Sequence, residues 1–227
     1  MFLVMMRLRS LYTSPQLEHY GRIMDENAQN QYPVLSGGGA NRNGETIDPV
    51  TGQVLCGNLD MRIDRDGVWF YHGTPIGRKA LVKLFASILQ RDEDGRYWLE
   101  TPAEKGEIIV EDAAFMAVAL DTDGSGEAQT LKFRTNTDEI VIADGDHPLR
   151  IQIEPDTQEP SPYVLVRGGL EARLTRPVFY ELVNLGVQLA LDGGQIYGVW
   201  SAGHFFHIGP MPEDAPEEQS IVMSQPC

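Results

Sequence analysis

Four arginines stand where this sequence could bind an anion. Arg78 and Arg176 each precede an amphipathic run that reads as a helix, Arg150 follows His147-Pro148, and Arg167 precedes Gly168-Gly169. A helix start offers unpaired backbone N–H groups and a partial positive charge, so an adjacent arginine would add to an anion site. The paired glycines would let a ligand approach the backbone closely. For any single arginine the alternative is a bridge across an acidic surface that pins two units together.

Other candidate chemistry is weaker. DTDGSGEAQTLK begins like a calcium loop at Asp121, Asp123, Ser125 and Gly126, but its twelfth position is Lys132 where a bidentate glutamate belongs. A surface turn is the better reading. His204 and His207 in HFFH would point to opposite faces of a strand, so they do not form a metal pair. His72 reads as a half-buried, hydrogen-bonded histidine, and His147 lies in the turn GDHPLR without an evident partner. There is no G-x-S-x-G elbow, and Gly73 to Gly77 lacks the spacing of a phosphate-binding loop. No catalytic residue, metal or cofactor is assigned. An enzyme would need His72, His147 or His207 brought against an acid inside a pocket.

Composition narrows the partners. The chain has 227 residues, 42% hydrophobic and 22% charged, with a formal net charge of -15. Such an acidic chain disfavours non-specific nucleic-acid binding and anionic membranes, although a local basic patch could hold one nucleotide or phosphate. Its two cysteines, Cys56 and Cys227, make no disulfide framework. The N-terminal MFLVMMRLRS has the wrong order for a secretory signal and is too short to span a bilayer. The expectation is a cytoplasmic protein, with Met24 as an alternative start.

These residues need elements to position them. Residues 1–54 read as a flexible N-terminal arm, 55–112 as an α+β unit, 113–210 as a strand-rich α+β unit, and 211–227 as an acidic, loose tail. LDMRIDRDGVWFYHG reads as a hairpin turning at Asp66-Gly67, which sets Ile63 opposite Phe70 and Arg62 opposite Tyr71. Ile63, Val68 and Phe70 then face the core, while Trp69 and Tyr71 form an exposed aromatic-polar face. RKALVKLFASILQR follows with Leu81, Leu84, Phe85 and Ile88 at helical spacing. In the second unit, short strands lead to the helix TRPVFYELVNLG, with Thr175 as candidate cap and Gly186 at its end. Both units run from a strand pair through an arginine at a helix start to an aromatic strand, which suggests two related β-helix-β units.

At GNLDMRIDRDGVWFYHGTPIGRKALVKLF and RGGLEARLTRPVFYELV the sequence resembles a bacterial family, domain of unknown function 1285. The likeness covers roughly Cys56 to Ile208. It implies an α+β fold with an internally duplicated core and a C-terminal half superficially similar to pleckstrin-homology-like folds. It also implies a nucleotide-like ligand site between the halves and a role in signal transduction, with no enzymatic activity. Side chains expected near such a site are Trp69, Tyr71, Arg78, Arg150, Arg167, Arg176 and Tyr180: rings to stack on a base, and arginines to take phosphate. The alternative is a protein-interaction module that docks a partner on the exposed Trp69/Tyr71 face.

Overall fold

The computed structural model describes residues 39–40, 46–155, 157, 159–191, 194–209 and 220–221. The alternative start at Met24, the arm through residue 38 and most of the acidic tail lie outside the described residues. The chain divides into two compact units, Met1–Leu59 with Glu100–Glu107, and Asp60–Leu99 with Ile108–Cys227.

In the smaller unit β1 (Gly39–Ala40) pairs antiparallel with β2 (Thr46–Ile47), and Ile47 pairs with Val54 at the start of β3 (Val54–Ile63). Residues 46–54, expected to belong to a flexible arm, therefore form a hairpin. Asp48 explains why: its carboxylate accepts the Val50 and Thr51 N–H groups and closes the turn. The buried Gln53 amide donates to Glu100 Oε1 at 2.9 Å and to the Thr101 carbonyl at 2.7 Å, which satisfies its donors inside the unit.

The larger unit holds the end of β3, then β4 (Trp69–Tyr71), β5 (Thr74–Pro75), α1 (Lys79–Ser87), β6 (Leu89–Arg91), β7 (Tyr97–Glu100) and the end of β8 (Glu104–Val110). A six-stranded sheet follows. It is built from β9 (Phe115–Asp123), β10 (Thr130–Thr135), β11 (Ile140–Ile142), β12 (Leu149–Ile153), β13 (Pro160–Arg167) and β14 (Leu170–Leu174), in the order β11-β10-β9-β14-β13-β12. Its pairs are antiparallel except β14 with β9. After α2 (Arg176–Asn184) come β15 (Val187–Leu191), β16 (Gly194–Ser201) and β17 (His204–Gly209). β18 (Ser220–Ile221) pairs in parallel with β15, so two residues of the expected loose tail are strand. The described residues are thus strand-dominated, with two α-helices and one 3-10 turn. At this coarse level the α+β reading holds.

The hairpin at Asp66-Gly67 differs from expectation by one residue. Asp64 N–H donates to the Val68 carbonyl and Gly67 N–H to the Asp64 carbonyl, enclosing a three-residue loop with Gly67 at φ +74°. The Asp64 carboxylate also accepts the Asp66 and Val68 N–H groups. A two-residue turn would have paired Asp64 with Trp69; the longer loop pairs Ile63 with Trp69, Arg62 with Phe70 and Met61 with Tyr71. A shift of one residue sends every side chain to the other face. Trp69 is consequently a core residue, 1% exposed, its ring stacked 6.1 Å from that of Phe85 in α1. Phe70 lies outward beneath the Arg62 guanidinium at 4.2 Å, and Val68 is exposed. The expected exposed Trp69/Tyr71 face is therefore absent. His72, expected half-buried, is exposed because it opens the next turn: His72 and Gly73 have φ of 46° and 74° and join Tyr71 to Thr74.

Each helix follows from its apolar stripe and its ends. In α1, Phe85 and Ala86 are buried while Leu84 is exposed, so the buried stripe is centred one position beyond the expected one. The Arg78 carbonyl accepts the first helical N–H groups, from Leu81 and Val82. In α2, Val178 and Leu182 face the core. Thr175 holds the expected cap position and accepts Phe179 N–H through its carbonyl, but its side chain makes no cap hydrogen bond.

The turn between β10 and β11 collects α1 and the first hairpin. Asp138 receives Lys79 Nζ at 2.7 Å and Lys83 Nζ at 2.6 Å, and these two ammonium groups hold its carboxyl down at about 2. Asn136 Nδ2 donates to the Gly67 carbonyl at 3.3 Å, and the next acid, Glu139, takes Arg167 Nε at 3.3 Å.

Candidate functional site

The seven expected ligand residues fall in several environments. Trp69 lies inside the core. Tyr71 is half-buried with its ring 4.1 Å from that of His72; burial, and then the charge of Asp60, raise its hydroxyl pKa. Arg78 is exposed at the start of α1. Arg176, its side chain 83% exposed, has Glu159 at 3.9 Å, and Tyr180 is 64% exposed.

Arg167 is committed to structure. Its guanidinium donates to the Ala86 carbonyl at 2.7 Å and the Leu89 carbonyl at 3.3 Å, as well as to Glu139, and it lies 5.5 Å over the Phe115 ring. Those carbonyls belong to the end of α1 and the start of β6, where a cation complements the helix dipole. Gly168 and Gly169, at φ 51° and 75°, form the two-residue turn from β13 to β14, so the backbone geometry of the turn accounts for both. Arg150, Arg167 and Arg176 each pair with a different acid: Glu171, Glu139 and Glu159.

Arg150 alone of the seven lies in a larger polar cluster. On β12 it stands opposite Tyr163 of β13, which in turn stands opposite Arg173 of β14. The Arg150 guanidinium lies 4.1 Å from the centre of the Tyr163 ring. Its Nε and Nη2 reach the two carboxylate oxygens of Glu171 at 2.5 and 2.7 Å, and Nη1 reaches Gln152 at 3.1 Å. Tyr163, 5% exposed, donates its hydroxyl to Asp112 Oδ1 at 2.7 Å, and Arg173 Nη1 donates to Asp112 Oδ2 at 2.9 Å. Tyr97 of β7 carries Arg91 over its ring at 5.4 Å, and Arg91 Nη1 donates to the Gly169 carbonyl at 3.1 Å.

The electrostatics of this cluster favour donors. Burial raises the Tyr97 pKa, with Arg91, Glu171, Asp112 and Arg150 all near enough to be felt. Burial and then the hydrogen bond to Asp112 raise that of Tyr163. The hydrogen bond to Glu171 raises the pKa of Arg150. Three arginines against two carboxylates leave one positive charge in excess, in a chain whose net charge is -15. The group offers guanidinium and phenol donors beside two carboxylates and contains no imidazole, thiol or amine.

The other motifs stay on the surface. His72 Nδ1 meets Asp60, with the imidazole exposed, and His147 Nδ1 meets Asp144 at 3.0 Å, with the imidazole half-buried. DTDGSGEAQTLK is the connection from β9 through the 3-10 turn Gly126–Ala128 into β10. No group of His, Cys, Asp or Glu among the described residues could hold a metal ion, and no described helix is long and apolar enough to cross a membrane.

Two family models match side by side and define a bipartite protein: the DUF1285 N-terminal domain of unknown function over residues 52–113, and the C-terminal domain of a protein of unknown function (DUF1285) over 114–208. The chain belongs to the DUF1285 family. It is 47% identical to a DUF1285 family protein from Silicibacter pomeroyi DSS-3, covering 71% of this chain and 86% of that one with a TM-score of 0.64. A DUF1285 family protein from Shewanella baltica OS155 is 30% identical over 56% of this chain and 91% of that one, with a TM-score of 0.44. No curated protein matches the chain. In family terms Arg91, Tyr97 and Asp112 come from the N-terminal domain, and Arg150, Tyr163, Glu171 and Arg173 from the C-terminal domain. All seven lie in the larger compact unit.

Sequence reasoning found Arg150 but missed the other six. Their proximity depends on the register of three strands, and no local spacing announces it.

Proposed function

We propose that this protein is a cytoplasmic ligand-binding regulator, acting in signal transduction, that senses a small phosphorylated or nucleotide-like anion at the Arg91/Arg150/Arg173 cluster. The observation that carries this reading is the convergence of three arginines and two tyrosines from both family domains, with a positive excess inside an acidic protein. Guanidinium groups would take the phosphate and Tyr97 would lie beside the base. A ligand bound by side chains of both domains would couple its occupancy to their packing, which is what a sensor requires.

The finer architecture supports the same view of two related units. In each half a hairpin with two residues of positive φ, His72-Gly73 or Gly168-Gly169, precedes an arginine at a helix start, a nine-residue helix and an antiparallel strand pair. We read these as duplicated β-helix-β units, the second within a pleckstrin-homology-like half.

Thermal-shift titration with ATP, GTP, cyclic AMP and inorganic pyrophosphate tests the binding reading. At least one should raise the melting midpoint, and Arg150→Gln and Arg91→Gln should each remove the shift. At a concentration of 100 Kd the stabilisation would be about 2.7 kcal/mol. No shift with any of the four at millimolar concentration would overturn the proposal.

A further inference from the structure

The arginines of the proposed anion site differ in what they already hold. Arg150 grips both oxygens of Glu171 with Nε and Nη2, the fork geometry in which an arginine takes a phosphate or carboxylate ligand. Asp112 is built in: its two oxygens receive two different residues, the Tyr163 hydroxyl and Arg173. Glu171 is bound more simply. Among the described residues Arg150 is the sole partner of its carboxylate, and the pair is part-exposed, Arg150 at 45% and Glu171 at 21%. Arg91 has no carboxylate within ion-pair distance among the described residues; it offers one N–H to the Gly169 carbonyl and keeps the rest of its fork.

We propose that Glu171 is an internal stand-in for the ligand, displaced from Arg150 by an incoming phosphate group that Arg91 contacts first. The inference rests on the anion-site reading above and adds its regulation. The site is closed by the protein's own carboxylate, and only an anion that outcompetes Glu171 opens it. A released glutamate side chain rotates into solvent and recovers its rotamer freedom, so the exchange needs no backbone rearrangement.

Isothermal titration with inorganic pyrophosphate, on the full chain, separates the possibilities. Glu171→Gln keeps the shape and removes the charge; Glu171→Ala is a second variant that removes the group altogether. Both should bind pyrophosphate about fivefold tighter than the wild type, the scale of one partly exposed ion pair. In the wild type the Arg150 Nε–H resonance should move on addition of pyrophosphate. If both Glu171 variants bind no tighter than the wild type while Arg91→Gln weakens binding, the displacement idea is overturned and the anion site stands. If pyrophosphate gives no heat with any of these proteins and moves no arginine Nε–H signal, the displacement idea is overturned; if ATP, GTP and cyclic AMP also give no thermal shift, the anion site itself is overturned.

Discussion

The two helices end in different ways. The last turn of α1 is held by Arg167, whose guanidinium reaches across the family boundary to the Ala86 and Leu89 carbonyls and also to Glu139. The end of α2 is held by Tyr197, fourteen residues further along, whose hydroxyl donates to the Val183 carbonyl at 2.6 Å. Gly186 makes room for that ring, since a Cβ there would lie 2.4 Å from Tyr197 Cζ. Both devices satisfy carbonyls that a helix leaves unpaired. One is local and neutral; the other is long-range and charged, and Lys79 and Lys83 add two further ties from α1 to Asp138. The difference makes α2 a property of its own domain, whereas α1 is fixed by groups in the other.

That contrast can be broken experimentally. Arg167→Leu should have the largest effect, about 2–3 kcal/mol, because it strips the charged donor from two part-buried carbonyls. Urea denaturation measures the loss, and hydrogen exchange should quicken at the end of α1 before it does in α2. The reverse order would end the comparison. Gly186→Ala should cost about 1–3 kcal/mol by driving a methyl into the Tyr197 ring, with faster exchange confined to the end of α2. Tyr197→Phe removes only the hydroxyl, about 1 kcal/mol, and should relieve Gly186→Ala only in part, since a Cβ there meets the ring carbons Cζ and Cε1 as well as the hydroxyl. A double-mutant cycle reads that directly.

The smallest effect should depend on pH. The Asp138 carboxyl is held at about 2, below its ordinary 3.8, by Lys79 and Lys83. A lowered carboxyl pKa contributes stability that is complete above the ordinary value and fades as pH falls through the folded one. Asp138→Asn keeps a residue tolerant of the φ of 65° at this position. Its melting midpoint should differ from that of the wild type by a constant, small amount near neutrality, and the gap should close between pH 3.8 and about 2. A gap unchanged across that window would detach the lysines from the stability of α1.

How legible these features were depended on their range. The two helices were visible from apolar spacing and from Pro177 and Gly186, because those signals act within a few residues. The first hairpin was visible, but its faces were not. Asp66-Gly67 invites a two-residue turn, and the chain uses the preceding Asp64 to close a three-residue one. The same pattern recurs at Asp92, whose N–H and carboxylate close on Arg96 while Gly95 takes φ +82°. DRDG and DEDG are thus one turn used twice. An aspartate three residues before the glycine would have given the register and put Trp69 inside. No such cue existed for Asp112, Tyr163, Glu171 and Arg173, whose meeting depends on cross-strand pairing at long range.

Arg167 also sets a timetable for synthesis. Ala86 and Arg167 are 81 residues apart, so at about 5–20 residues per second the ribosome supplies the arginine roughly 4–16 seconds after the helix it fixes. Until then α1 is a nine-residue segment, below the length at which an isolated helix persists in water. Asp138, arriving earlier, gives Lys79 and Lys83 their partner but leaves the last turn open. During translation the N-terminal domain therefore waits on the C-terminal one, and a nascent chain halted between Asp138 and Arg167 is where proteases should find the end of α1 accessible.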